Sequence, residues 1–173
     1  MKPIELYLIR HGIAAERGTY AHDGDRPLTD EGREKTKQIA ERLYGLGIRF
    51  DLIQTSPLVR ARQTAEILQA VGLGKSGEVS EDLAPAGSFE AWVTWLQSWR
   101  GNQLAIVGHE PDLGEWAEQL VWGTVRPSSD GQSTFRLRKA GVIGLSLPET
   151  GSPVGNCQLF WLTPPKLLLW GAS

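Results

Sequence analysis

Short apolar runs alternate with longer segments of helical spacing along the first two-thirds of the chain. The apolar runs are typical of buried strands, because they are too short for helices and are bounded by glycine, proline or polar residues. They predict strands over residues 4–9, 50–55, 78–80 and 103–107. The first of these strands ends abruptly at Arg10 and is followed by a polar loop over 13–28.

Helices are predicted in the intervals between these strands, over residues 29–46, 58–71, 88–99 and 112–122. Thr29 is the expected N-cap of the first helix, because acidic residues follow it and apolar residues then recur on one face. Ser56 and Pro57 are the expected N-cap and first helical residue of the second helix.

The pattern changes in the last third, where three strands are predicted in succession over 134–138, 142–147 and 158–163. Strand–helix alternation indicates an α/β sheet with helices on both faces. The expected fold is therefore a three-layer α/β/α sandwich. Its central sheet is mostly parallel, with edge strands from the C-terminal third and some antiparallel pairing. The tail over 164–173 is expected to pack on this domain, with a dimer contact as the alternative.

Composition narrows the class of protein. A length of 173 residues predicts a single domain over 1–173. The net charge of −2 argues against nonspecific nucleic-acid binding. The single cysteine, Cys157, cannot form an internal disulfide and is expected to be buried. No apolar run approaches the ~20 residues of a membrane helix and no leader pattern precedes the first strand, so we expect a cytoplasmic protein without a membrane segment.

Arginine and histidine residues follow several predicted strands at the point where each one ends. Arg10 and His11 follow the first strand, Arg60 lies in the first turn of the helix after the second, and His109 follows the strand over 103–107. The carboxyl ends of parallel strands meet at one edge of a sheet, where open α/β sheets bind ligands. We therefore expect these four side chains in one pocket. An Arg-His or Gly-His pair after a single strand would by itself indicate only an ordinary turn.

Such a pocket suits phosphate chemistry. Guanidinium groups match phosphate oxygens and stay charged, and their charge should lower the pKa of a nearby imidazole. A neutral histidine can attack phosphorus and form a phosphohistidine, while the arginines compensate the charge without a metal ion or another cofactor. His22, the third histidine, is expected to be exposed in the polar loop.

Four segments resemble the motifs of the histidine phosphatase superfamily, which has a phosphoglycerate mutase-like fold. Residues 8–12 (LIRHG) resemble its Arg-His-Gly signature, and residues 26–32 (RPLTDEG) resemble its R-P-L-T-x-x-G segment. Residues 56–65 (SPLVRARQTA) are similar to its second arginine block, and residues 107–111 (VGHEP) to its second histidine block. Order and spacing agree from residue 4 to about residue 120.

The short chain is similar to the SixA-type phosphohistidine phosphatases of this superfamily. The resemblance implies that His11 is the nucleophile and that Arg10, Arg60 and His109 hold the phosphoryl group. It implies Arg26 as a further phosphate contact.

The general acid is where the sequence departs from larger members of the superfamily, which carry a glutamate in an insertion between the second arginine and second histidine blocks. Here Ala and Pro at 84–85 stand where that acid would be expected. Glu16, Asp23 and Asp25 are candidates in the first loop. Asp23 is best placed by the resemblance, with an ordinary turn aspartate as the alternative.

The leading hypothesis for function is a metal-independent phosphohistidine phosphatase that acts on phosphohistidine-bearing proteins, such as histidine phosphotransfer domains, through a phospho-His11 intermediate. A phosphoramidate nitrogen can be protonated before cleavage, so this substrate depends less on an enzyme acid than an alkoxide does. The alternatives are a small-molecule phosphomonoesterase of the same superfamily and a phospho-ligand binding module without turnover.

Overall fold

The structure, a computed structural model, describes residues 3–171. Six strands form one sheet: β1 (Glu5–Arg10), β2 (Leu52–Thr55), β3 (Gly77–Val79), β4 (Gln103–Gly108), β5 (Val142–Ser146) and β6 (Gln158–Thr163). Their order across the sheet is β3-β2-β4-β1-β5-β6. The four strands from β3 to β1 are parallel, whereas β5 runs antiparallel to β1 and β6 antiparallel to β5. The predicted mostly parallel sheet with C-terminal edge strands is confirmed.

Five α-helices of the described residues flank the sheet: α1 (Asp30–Gly45), α2 (Val59–Val71), α3 (Phe89–Ser98), α4 (Asp112–Trp122) and the short α5 (Pro165–Leu168). Successive side chains of β1 point to opposite faces, so that Leu6 and Leu8 pack in the core under α3 and α4, while Tyr7 and Ile9 pack under α1, α2 and α5. Two apolar layers on one sheet make the predicted α/β/α sandwich.

The N-caps of α1 and α3 are as the sequence predicts. The Thr29 hydroxyl accepts a hydrogen bond from Gly32 N at 2.9 Å, and the Ser88 hydroxyl accepts one from Ala91 N at 3.1 Å. The predicted cap of α2 is wrong. That helix starts at Val59 and its N-cap is Leu58, which makes no side-chain cap, because the Ser56 hydroxyl lies against His109 instead.

The strand predicted over 134–138 is also wrong, since this segment is an irregular loop. Its alternating Phe135 and Leu137 are buried against the α3–α4 core. The backbone N–H groups of Thr134 and Phe135 donate hydrogen bonds to the carboxylate of Glu118 and not to a neighbouring strand. Burial of every second residue thus produced a strand-like pattern without a ladder.

The tail packs on the same domain over 164–171, as expected, and residues 172–173 lie outside the described part of the chain. Leu168 is buried in the core beneath α1 and α2. Cys157 is buried as well, just before β6. Across residues 3–171, no helix is long and apolar enough to cross a membrane.

Candidate active site

The register of β1 and β4 brings the two candidate histidines together. Arg10 pairs with Gly108 in this parallel register, so His11 and His109 leave the sheet side by side at its carboxyl edge. The backbone N–H of His11 donates to Gly108 O at 3.1 Å, and the two ring centroids lie 5.2 Å apart. Both imidazoles are buried.

The tautomer of His11 follows from its hydrogen bond. Its Nδ1 lies 2.7 Å from the carbonyl oxygen of Gly12, and a carbonyl oxygen can only accept, so Nδ1 carries the proton. The Gly12 backbone is itself fixed, because its N–H donates to the Thr64 hydroxyl on α2 at 3.0 Å. In the neutral ring, Nε2 is therefore the nitrogen with a free lone pair.

His109 is oriented by Ser56, the residue that follows β2. The Ser56 hydroxyl lies 2.7 Å from His109 Nε2 and also accepts from Leu58 N at 3.3 Å. The hydroxyl can donate to Nε2 while it accepts from Leu58 N, and in that arrangement the proton of the neutral ring lies on Nδ1. Nδ1 is buried and has no hydrogen-bond partner among the described residues.

Both imidazoles are held neutral. Burial lowers the pKa of His11 to about 3, with smaller contributions in the same direction from His109, Arg60 and Arg10. Burial also lowers the pKa of His109 to about 4, and the charge of Arg60 adds to this effect. A lowered pKa favours the uncharged ring above that value, so both rings are neutral at physiological pH. The predicted direction is confirmed, but burial contributes more than the arginine charges.

Asp23 links two arginines at the mouth of this site. Arg60 Nη2 donates to its Oδ2 at 2.9 Å and Arg60 Nη1 donates to its backbone oxygen at 2.8 Å. Arg26 Nε donates to its Oδ1 at 2.8 Å, and Arg26 Nη1 donates to Ala15 O at 2.6 Å. Both arginines are buried, whereas Asp23 is half exposed. The hydrogen bond from Arg26 and the charge of Arg60 hold the pKa of Asp23 below its usual value, so the carboxylate is ionised.

Arg10 is held from the opposite side by the loop over 134–138. Its Nη1 donates to Leu137 O at 2.8 Å, and Leu137 N donates to the carboxylate of Glu110 at 3.2 Å. Glu110 follows His109 and lines a cavity that Arg10 also lines. Burial raises the pKa of Glu110 to about 7, so this carboxyl is partly protonated at neutral pH.

Three buried nitrogens of the cluster have no hydrogen-bond partner among the described residues: Arg10 Nε, Arg60 Nε and His109 Nδ1. Each can donate, and a buried donor without an acceptor is energetically unfavourable. A tetrahedral oxyanion offers acceptors to several donors at once. Across the described residues, no group of three or more His, Cys, Asp or Glu side chains is arranged to hold a metal ion.

The structure thus gathers all the site residues predicted from the sequence, and leaves His22 and Arg62 exposed. Three residues with a place in this cluster were missed. The sequence predicts a helix cap at Ser56, although its position at the carboxyl end of β2 also places it at the site. Glu110 directly follows His109, which was a signal of the same kind. Thr64 lies inside a helix, and nothing in the sequence around it indicates its contact with the Gly12 backbone.

Comparison with known proteins places the chain in a family. Residues 6–90 match the model of the histidine phosphatase superfamily (branch 1). The chain is 49% identical to an uncharacterised protein of Picosynechococcus sp. over 171 residues, which cover 96% of this chain and 99% of that one. It is 27% identical to phosphohistidine phosphatase SixA of Escherichia coli K12 over 160 residues, which cover 90% of this chain and 93% of SixA.

The chain belongs to the histidine phosphatase superfamily. Among solved structures, the protein histidine phosphatase SixA complexed with tungstate superposes with a TM-score of 0.80 at 25% identity, covering 95% of this chain and 99% of that one. The SixA-type resemblance therefore extends over nearly the whole chain, including the C-terminal third, where sequence motifs were weak. These relatives support a phosphatase, a hydrolase of bonds to phosphorus.

Proposed function

We propose that this chain, acting as a single domain over 1–173, is a metal-independent phosphohistidine phosphatase whose substrates are phosphohistidine-bearing proteins. The observation that carries the proposal is the fixed tautomer of His11, whose Nδ1 is bound to the Gly12 carbonyl and whose Nε2 is left free. The His109 ring lies 5.2 Å from the His11 ring, centroid to centroid, so a second neutral imidazole stands next to the nucleophile.

In the first step, the lone pair of His11 Nε2 attacks phosphorus and forms a P–N bond. The substrate phosphohistidine ring has been protonated by solvent at its other nitrogen, so the P–N bond to it breaks, the electron pair stays on the substrate nitrogen, and the substrate leaves as neutral histidine. Arg10, Arg60 and Arg26 offset the charge on the phosphoryl oxygens, and His109 donates from Nδ1.

In the second step, water attacks phosphorus of phospho-His11. The P–N bond to Nε2 breaks and its electron pair returns to the ring, so that His11 is neutral again. The proton of the attacking water passes to the departing inorganic phosphate or to solvent. The same arginines hold the phosphoryl group through both steps, which is catalysis by positioning and electrostatics.

Asp23 acts in this scheme as a positioning residue that aligns Arg26 and Arg60. An ionised carboxylate has no proton to give to a leaving group. That favours a leaving group which can be protonated before cleavage, as the imidazole of phosphohistidine can. The named activity of the SixA relative and its complex with tungstate, an oxyanion of phosphate-like shape, support the same substrate class. We propose that the protein acts on such phosphoproteins in the cytoplasm.

The test is a paired assay on the protein and its His11→Ala variant, with a phosphohistidine-bearing phosphotransfer domain and, separately, p-nitrophenyl phosphate. We expect rapid loss of phosphohistidine, weak aryl phosphatase activity, and no activity on either substrate in His11→Ala. We expect no effect of EDTA. His22→Ala is the matched control, since that histidine is exposed, and it should retain activity.

Robust turnover of p-nitrophenyl phosphate with an inert phosphoprotein would favour the small-molecule phosphomonoesterase. Phosphate binding without turnover of either substrate would favour the binding module. Circular dichroism of His11→Ala checks that the loss is chemical and not structural.

A further inference from the structure

A large groove adjoins the active site on the side of α1 and the C-terminal tail. It has a volume of about 1290 Å³, above the roughly 300–1,000 Å³ of small-molecule sites. Arg10 lines it, so the groove and the proposed reaction centre share this side chain. From there it runs along α1 from Gly32 to Ile39 and beneath the tail over 164–171.

The floor and outer wall of the groove are apolar. Ile13, Ile39, Ala140 and Leu169 line it, together with Pro164 and Pro165. The tail is anchored through Leu168, which is only 4% exposed. This anchoring turns Leu167 and Trp170 outward, and they are 57% and 71% exposed.

These two side chains belong to a wider concentration of exposed apolar residues. Of nine large apolar side chains exposed among the described residues, five lie within 159–170: Leu159, Phe160, Leu162, Leu167 and Trp170. Leu167 and Trp170 also line the groove, and exposed apolar side chains that lie together on a folded domain commonly mark a site of protein association. Exposed tryptophan is among the side chains that contribute most to such interfaces.

The rim of the groove is positively charged, although the whole chain carries a net charge of −2. Its lining contains five basic side chains and no carboxylate: Arg10, Lys35, Arg138, Lys139 and Lys166. Lys35 pairs with Glu31, but within residues 3–171 no carboxylate lies within 4.0 Å of the other four. Burial, followed by the charges of Arg10 and Arg26, lowers the pKa of Lys139, which indicates how strongly positive this region is.

From these features we infer that the groove docks the phosphoprotein substrate, through an acidic and partly apolar surface next to its phosphohistidine. The inference rests on the proposed function and adds the surface by which a protein substrate is recognised. An apolar floor with a cationic rim complements an acidic amphipathic surface, and such complementarity gives specificity and faster association. Because Arg10 belongs to both the groove and the reaction centre, a protein docked in the groove lies next to that centre.

Steady-state kinetics of two groove variants test this inference, Lys166→Glu for charge and Leu167→Ser for apolar contact. Both residues are exposed and lie outside the reaction centre, so neither change should affect folding. The matched controls are Lys75→Glu and Leu46→Ser. Lys75 is exposed before β3 and Leu46, 55% exposed, follows α1, and neither residue lines the groove.

The probes are an acidic phosphohistidine-bearing phosphotransfer domain and p-nitrophenyl phosphate. We expect each groove variant to raise KM for the phosphoprotein about five- to tenfold, as expected for loss of a contributing interface side chain. Kinetics on p-nitrophenyl phosphate and kcat on the phosphoprotein should not change. KM for the phosphoprotein should also rise with salt in the wild type and rise less in Lys166→Glu.

Equal behaviour of groove and control variants would overturn the docking inference, while wild-type turnover of the phosphoprotein would leave the proposed function standing. A loss on p-nitrophenyl phosphate in the groove variants would also overturn it, because the groove would then act on the reaction centre. Sedimentation showing a dimer that Leu167→Ser dissociates would assign the surface to a second copy of the chain. A wild type inert on the phosphoprotein but active on p-nitrophenyl phosphate would overturn the proposed function, and the inference with it.

Discussion

Asp23 connects two buried guanidinium groups that come from different parts of the chain. One carboxylate oxygen accepts from Arg26 and the other accepts from Arg60, so both arginines are oriented by a single side chain. Hydrogen bonds to charged groups contribute more than neutral ones, but Asp23 is half exposed and solvent screens part of the effect. The site therefore depends on the ionised carboxylate of Asp23, which orients the two arginines and transfers no proton.

The substitution Asp23→Asn tests this positioning role. An amide offers one acceptor where the carboxylate offers two, and its NH₂ group faces an arginine donor, so one arginine loses its orientation. We expect kcat/KM to fall about tenfold on both a phosphohistidine protein and an aryl phosphate. Steady-state kinetics with both substrates measure it, with Asp25→Asn in the same turn as the control. A loss confined to the aryl phosphate would instead identify Asp23 as the general acid.

The first turn of α1 is pressed against the loop that follows His11. A Cβ on Gly32 would overlap the carbonyl oxygen of Ile13, and a Cβ on Gly12 would overlap the Thr36 hydroxyl. This close approach holds the start of α1 against the residues that follow His11, where Thr29 N donates to Ile13 O at 3.0 Å. The glycine of the R-P-L-T-x-x-G segment is therefore a packing requirement between two elements.

Gly32→Ala should lower stability, although alanine favours helix by about 1 kcal/mol relative to glycine. The overlap is with backbone, which must shift, and overpacking of this kind costs about 1–3 kcal/mol. We expect a net fall in Tm of several degrees, roughly 2–4 °C per kcal/mol lost. Thermal unfolding followed by circular dichroism measures it. The control is Gly45→Ala in the same helix, where nothing lies within 4 Å of the added Cβ, and equal Tm values for both variants would contradict this account.

At the scale of the whole molecule, the active site gathers buried donors that no group within residues 3–171 accepts from. Arg10 Nε, Arg60 Nε and His109 Nδ1 are buried without a partner among the residues described. A phosphate-like anion that pairs with them binds the folded chain but not the unfolded one. Ligand occupancy and global stability are therefore coupled.

Vanadate should consequently raise Tm. At a concentration about 100 times its Kd, stability should rise by about 2.7 kcal/mol, which corresponds to roughly 5–10 °C for a chain of this size. Differential scanning fluorimetry measures the shift. Arg60→Ala should abolish it, whereas Arg62→Ala, an exposed arginine of the same helix, should keep it. If Arg60→Ala retained the full shift, the anion would bind elsewhere.

The sequence alone determined the order of strands and helices over most of the chain, and the residues at the strand ends. Hydrophobic periodicity is a local property that reports burial directly, so it located β1, β4 and the helices within a few residues. Motif spacing then identified Arg10, His11, Arg60 and His109, because parallel strands must end at a common edge. The same periodicity failed over 134–138, where burial alternates but the backbone pairs with carboxylates.

Only the tertiary structure decided which partners these residues meet. Asp23 meets Arg60 across 37 positions, and Ser56 meets His109 across 53, and no local pattern specifies either pair. Burial of the rings lowers both imidazole pKa values, and the two arginines keep Asp23 ionised. The His11 tautomer is set by the adjacent Gly12 carbonyl, but the Gly12 backbone is held by Thr64, 52 positions away. The groove likewise exists only because the tail folds back onto α1. The protonation states of the site residues and the shape of the groove depend on desolvation and on distances between side chains that are remote in sequence. Both are determined only when the chain folds.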